Sequence, residues 1–144
     1  MGIIIKTDAE IALMREAGRI TAIVLEILTA SVKPGMRTDE LDVIAEKEPK
    51  RFGAEPSFKG YRHYPASLCV SVNDEIVHGI PDKRILLEGD IVSIDYGVKY
   101  KGFQGDAART VAVGKVNAQA RKLMEVTEGS LKAGIKAAYK GNSL

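Results

Sequence analysis

Cysteine is nearly absent from this 144-residue chain: Cys69 stands alone, so no disulfide can close within it, and a reducing compartment is the simplest setting. A surplus of one charge is missing as well. Lysine and arginine number 21 against 19 aspartates and glutamates, and the basic residues are scattered rather than gathered in a stripe, so nucleic acid is not implied as a partner. Long apolar runs are lacking: Glu26 interrupts the richest, Ile20 to Leu28, far short of the roughly 18 residues of a membrane span. The start, MGIIIKTDAE, has no basic segment, apolar run and small-residue cleavage site of a secretory signal, and the expected address is the cytoplasm. What is present suffices for a core. With 45% hydrophobic and 28% charged residues, disorder of the whole chain is excluded, and a domain of this size buries roughly 70% of its unfolded surface. A single domain over residues 1–144 is expected.

Thr7 and Glu10 have the spacing of a capping box, in which the hydroxyl accepts the third helical N–H and the carboxylate reaches back, so a helix is predicted from Asp8. Ile11, Met14, Ala17, Thr21, Val24, Leu25 and Leu28 recur at three- and four-residue steps as its buried stripe, until Pro34-Gly35 stops the pattern. Thr38, followed by Asp39 and Glu40, reads as a second N-cap with Leu41, Ile44 and Ala45 on the buried side, and Pro49 should end or kink that helix. From Ala66 to Val113 the texture changes to short β-branched runs, LCVSV, EIVHGI, IVSIDYGV and FQGDAARTVAV, which predict antiparallel strands in two hairpins. Asn73-Asp74 is the expected turn of the first hairpin, and Lys99 to Gly102 contains that of the second. Asn117 can cap a last helix with Ala120, Leu123, Met124, Thr127, Leu131 and Ile135 buried, ending near Gly141. The predicted class is α+β, an antiparallel sheet of hairpins covered by helices.

Chemistry concentrates in the second hairpin. With Tyr100-Lys101 as a two-residue loop, Asp95 falls directly opposite Asp106 on one face, with Cβ atoms roughly 5 Å apart. Like charges so placed destabilise a sheet, and burial would force one carboxyl to keep its proton. A divalent cation reverses that account, because both carboxylates become ligands, and paired metals roughly 3.5–4 Å apart suit carboxylates that bridge. The alternative is a bulge at Gly102 or Gly105 that shifts the register and sends one Asp to the solvent face. In the first hairpin the Asn73-Asp74 loop pairs Cys69 with His78. A Cys–His nucleophile would need an orienting partner and an oxyanion hole, which the local sequence does not identify. Cys69 also reads as a small buried hydrophobe and His78 as a satisfied strand histidine. Phe58, Tyr61 and Tyr64 cluster in a Pro/Gly-rich segment, where they either line a pocket for an apolar group or cover one end of the core. His63, within KGYRHYP, takes a surface or turn position by default, and the glycines form no phosphate-binding pattern.

EPSFKGYRHYPASLCVSVNDEIVHGIP, continued by EGDIVSIDYGVKYKGFQGDAARTVAVG, closely resembles type I methionine aminopeptidases, the pita-bread metallopeptidases, as does the opening IKTDAEIALMREAGRI. The resemblance implies one half, the N-terminal one, of the pita-bread fold. It places metal-ligand roles on Asp95, in the IDYG-like motif, and Asp106, in the GDAART-like motif. It assigns to His78, in VHGIP, the positioning of the substrate amide and a part in proton transfer. Phe58, Tyr61, Tyr64 and Cys69 match positions around the side chain of an N-terminal methionine. The implied reaction removes that methionine from peptides or nascent chains when the next residue is small, with two divalent ions in the family. Carboxylates with few imidazoles suit Mn, Fe(II), Co or Zn.

The family's other ligands, one His and two Glu, belong to the second half of its fold, so the expectation is a truncated half with weak or no activity alone. A non-catalytic peptide- or protein-binding module on the same half-fold is the competing expectation. Prolidase and aminopeptidase P share the metal pair but not the combined SFKGY, VHGIP and GDAART context. Pro49 stands where the family usually continues a helix with an apolar residue, and His63 where it usually has glycine. The approximate two-fold symmetry of the family fold suggests that a lone half exposes sheet edge and apolar surface and pairs with a second copy as a homodimer.

Overall fold

The computed structural model describes residues 3–143; Met1, Gly2 and Leu144, the ends of the expected single domain, lie outside the described residues. In chain order the elements are α1 (Asp8–Ser31), α2 (Thr38–Lys47), a 3-10 turn (Glu48–Phe52), β1 (Glu55–Pro56), a second 3-10 turn (Tyr61–His63), β2 (Cys69–Val72), β3 (Ile91–Tyr100), β4 (Phe103–Ala112) and α3 (Ala118–Ala137). The class is α+β, as the run pattern predicts.

The capping box forms: the Glu10 N–H donates to the Thr7 hydroxyl at 3.3 Å, and the Thr7 N–H to the Glu10 carboxylate at 2.7 Å. From Ala17 onward the predicted stripe of α1 is buried, with Ile20 added to it. Ile11 and Met14 depart from the prediction and are exposed, lying in the turns before the buried face of the helix begins at Ala17. At α2 the cap shifts by one residue to Arg37, whose N–H donates to the Glu40 carboxylate at 3.0 Å. Thr38 is used elsewhere: its hydroxyl accepts the Asp82 N–H at 2.9 Å and ties α2 to the loop before β3. Leu41 and Ala45 face the core, and Pro49, buried, opens the 3-10 turn that ends the helix.

β3 is the centre of the sheet. β4 pairs along its whole length, while β1 and β2 share its other edge, β2 at Val92–Asp95 and β1 at Val98–Lys99. The second hairpin is present, but its loop is Lys101-Gly102 rather than Tyr100-Lys101, with φ of 47° and 88° at the two positions. Both loop residues must be left-handed to match the strand twist, and glycine takes the second position at no steric cost. The first hairpin does not form. EIVHGI is not a strand; β2 pairs with β3 instead. The predicted turn at Asn73-Asp74 does form, closed by the Glu75 N–H on the Val72 carbonyl at 3.3 Å, and the chain folds back far enough for the Gly79 carbonyl to accept the Val70 N–H at 2.9 Å. The Asn73 side chain, however, accepts the Ile91 N–H at 3.0 Å and donates to Asp90 at 2.8 Å, tying the end of β2 to the start of β3 instead of to a strand in EIVHGI.

Val92, Ile94, Tyr96 and Val98 of β3 pack with Ile20, Val24, Leu28, Leu41 and Leu68 in one core beneath α1. Gly105 of β4 permits this close approach, since a Cβ there would stand 2.7 Å from the Ala17 carbonyl. α3 is capped by Asn117, which accepts the Ala120 N–H at 2.8 Å, and it ends at Ala137 rather than near Gly141. Its predicted buried stripe is a second correction. Ala120 and Met124 are half-buried, but Leu123, Thr127, Leu131 and Ile135 face solvent, because nothing among the described residues packs over them. No described helix is long and apolar enough to cross a membrane.

Candidate metal centre

Strand alternation turns Ser93, Asp95 and Gly97 away from α1, opposite the core residues between them. Pairing with β2 and β4 then builds three rows on that face: Ser71, Ser93 and Thr110; Cys69, Asp95 and Ala108; and Gly97 with Asp106. The expectation that Asp95 and Asp106 stand directly opposite each other is corrected. The loop at Lys101-Gly102 moves the register by two residues, so Asp95 faces Ala108 and Asp106 faces Gly97. A two-residue change keeps every side chain on its own face, and the aspartates become diagonal neighbours with backbones roughly 7–8 Å apart. No bulge sends either to the opposite side.

The two carboxyl groups come close enough to share a hydrogen bond when one is protonated. Burial in the central strand, then the negative charge of Asp106 and that hydrogen bond, hold the Asp95 carboxyl above the usual carboxylate range, while His78 within electrostatic reach opposes them. Asp106, on the edge strand, is exposed. Neither carboxylate forms a salt bridge among the described residues, although nine other pairs do. An unneutralised acidic pair on the sheet face is therefore what the strands assemble.

Around it stand most of the other candidate residues. Cys69, the row partner of Asp95, is buried, and burial pushes its thiol up, with the charges of Asp95 and Asp106 adding to the effect. A thiol so held is protonated near neutral pH and is a poor nucleophile, which weighs against a Cys–His site. Tyr64 donates its hydroxyl toward the Leu68 and Gly79 carbonyls, at 3.1 Å each, and burial raises its pKa. The Phe58 ring packs over Gly97, the row partner of Asp106, 2.9 Å from where a Cβ would stand. Tyr61 contributes backbone to the turn between them, but the residue is exposed, with Arg62 5.5 Å from its ring. His63 is exposed in a left-handed turn, φ 66°. His78 reaches the site from a loop rather than a strand, so its pairing with Cys69 is not the predicted hairpin. Ser71 was not singled out by the sequence, although its alternation with Cys69 in LCVSV already puts both on one face.

Metallopeptidase family M24 matches residues 12–144. The chain belongs to that family. Over 142 residues it is 53% identical to methionine aminopeptidase 1 of Bacillus subtilis, covering 99% of this chain and 57% of that protein. The crystal structure of methionine aminopeptidase from Thermotoga maritima has a TM-score of 0.92 at 38% identity, over 96% of this chain and 56% of that one. Prolidase from Pyrococcus furiosus shares the fold less closely, with a TM-score of 0.78 at 26% identity over 89% of this chain and 36% of that one. The chain thus spans a little over half the length of the methionine aminopeptidases it matches. M24 metallopeptidases use divalent metal, and Asp95 and Asp106 fit part of such a site. They are hard oxygen donors on one face, in no salt bridge among the described residues. A third donor is missing: the described residues contain no group of three or more His, Cys, Asp or Glu side chains able to hold an ion.

Proposed function

We propose that this M24 chain carries the aspartate ligands and the methionine-binding wall of a methionine aminopeptidase, acting in the cytoplasm on peptides or nascent chains that begin with methionine. The observation that carries the reading is the acidic pair Asp95 and Asp106, held on one face with no Lys or Arg paired to it among the described residues. Bound there, divalent metal, two ions of Mn, Fe(II), Co or Zn, would polarise the scissile carbonyl and supply hydroxide near neutral pH. The protein's own groups have simpler tasks. Asp95 and Asp106 would hold the metal; Phe58, Tyr64 and Cys69 border the face on which a methionine side chain would lie, with Tyr61 at its exposed rim. His78, within electrostatic reach of Asp95, would donate to the substrate amide and shuttle its proton.

The lack of a third ligand among the described residues favours weak or no turnover by this chain alone, which keeps peptide binding without hydrolysis as the second reading. Calorimetric titration with Mn(II) or Co(II) tests the centre. Weak binding is expected, and D95N and D106N should each abolish it; binding unchanged in both variants refutes the assignment. Hydrolysis of a Met-Ala peptide, with D106N as the control, separates the readings. Loss of an essential acid–base group costs about 10²–10⁴ in rate, and missing ligands add to that, so turnover near 10 per second, roughly the usual enzyme rate, would contradict the expectation.

A further inference from the structure

The segment that carries His78 is fastened at its ends by groups remote from the imidazole. The Glu75 carboxylate accepts the Val72 N–H at 2.8 Å and pairs with Arg84 at 2.7 Å, and Asp82 is bonded to Thr38 at 2.9 Å. Ile76, Val77 and His78 between them are exposed. His78 nevertheless holds a left-handed backbone, φ 61°, a conformation that persists only where surrounding structure imposes it.

The imposing structure is at Gly79. Its carbonyl accepts the Val70 N–H at 2.9 Å and the Tyr64 hydroxyl at 3.1 Å. Its N–H, which belongs to the peptide plane leaving His78, donates to the Ser71 hydroxyl at 3.2 Å. No Cβ could be accommodated at Gly79, because it would run into the Val70 carbonyl. Ser71 is only 4% exposed, and a buried hydroxyl without a partner is costly. Its row neighbours Ser93 and Thr110 bond to each other at 2.8 Å, while Ser71 serves Gly79.

We propose that Ser71 is a positioning residue for His78: its hydroxyl fixes the His78–Gly79 peptide plane and thereby holds the imidazole beside the acidic pair. The inference rests on the metal-site reading of Asp95 and Asp106. It gives a task to a buried strand residue that the ligand and pocket roles leave unused, and it explains how an exposed loop delivers a histidine to a fixed place.

Nuclear magnetic resonance of the isotopically labelled intact chain tests it in S71A and in S71T, which keeps the hydroxyl. Without metal, exchange of the Gly79 amide should be about tenfold faster in S71A and near wild type in S71T, as loss of one hydrogen bond predicts. With Mn(II), paramagnetic broadening of the His78 ring should fall in S71A and return in S71T while broadening of the Ala108 amide stays constant. Unchanged Gly79 exchange in S71A overturns the proposal. So does faster exchange with undiminished His78 broadening, which would make Ser71 structural only. If Mn(II) fails to broaden Ala108 in the wild type, the metal reading falls. The backbone coupling constant of His78 then decides: loss of the left-handed value in S71A supports positioning, and its retention refutes it. Should S71A not fold by circular dichroism, S71C, similar in volume and a weaker acceptor, takes its place in each measurement.

Discussion

At the scale of single residues, Asp106 is subject to opposed demands. Its charge adds to the burial that pushes the Asp95 carboxyl up, and His78 offsets this only in part, so the metal-free sheet carries a like-charge neighbour pair at some cost. The same charge is what a divalent ion would be held by. D106N should therefore raise the stability of the metal-free chain, by roughly 0.2–1 kcal/mol, the range for cross-strand pairs. It should also remove the stabilisation that Mn(II) gives the wild type, since only binding to the native state shifts that equilibrium. Urea denaturation with and without Mn(II) measures both effects. A destabilised D106N that still gains from Mn(II) would contradict the role given to this carboxylate.

Among the elements, what could be read from the sequence was set by local chemistry. The cap at Thr7 and Glu10, the cap at Asn117 and the buried side of α1 from Ala17 follow from nearest-neighbour bonding and helical period, and they stand as predicted. The face shared by Asp95 and Asp106 was legible because strand period survives a two-residue error in register. Three features were not legible for physical reasons. The turn at Asn73-Asp74 forms where predicted, but the Asn73 side chain binds it to Asp90 and Ile91, and that tie to β3 is something no β-branched pattern in EIVHGI can reveal. The hold of Gly79 on β2 needs tertiary approach, and an apolar stripe on α3 states which side is apolar without stating that anything covers it. Two predictions belong here. G105A puts a methyl against the α1 backbone at Ala17, so it should cost about 1–3 kcal/mol in chemical denaturation, the usual range for overpacking. Hydrogen bonds from Thr7, backbone first and then hydroxyl, hold the Glu10 carboxyl below its ordinary 4.5. A depressed carboxyl stabilises the native state above its unfolded pKa and loses that contribution as pH falls through the folded value. E10Q should therefore lower the melting temperature at pH 7 yet lose less than the wild type on acidification to about pH 3; equal losses in both would show that the box does not couple α1 to pH.

For the whole molecule, the unanswered demand is surface. Leu123, Val126, Leu131 and Ile135 of α3 are 58%, 50%, 60% and 65% exposed, and Ile76, Val77 and Ile80 add apolar surface on the His78 loop. β4 meets only β3 among the described strands, which leaves its other edge open over ten residues. Apolar stripes and long open edges are association sites in soluble proteins. A second copy presents the same two features, and an isologous two-fold contact would pair each with its counterpart, so we propose a homodimer as the smallest assembly that would cover both. A stable contact of this kind buries roughly 1,200–2,000 Å² in total. Light scattering after size-exclusion chromatography should give a dimer at micromolar concentration that dissociates on dilution. L123E with L131E should shift it to a 15.6 kDa monomer without loss of helix content, because both side chains already face water in the single chain. A wild-type monomer across that concentration range would mean that the stripe and the open edge are too small or too mismatched to repay the entropy of association.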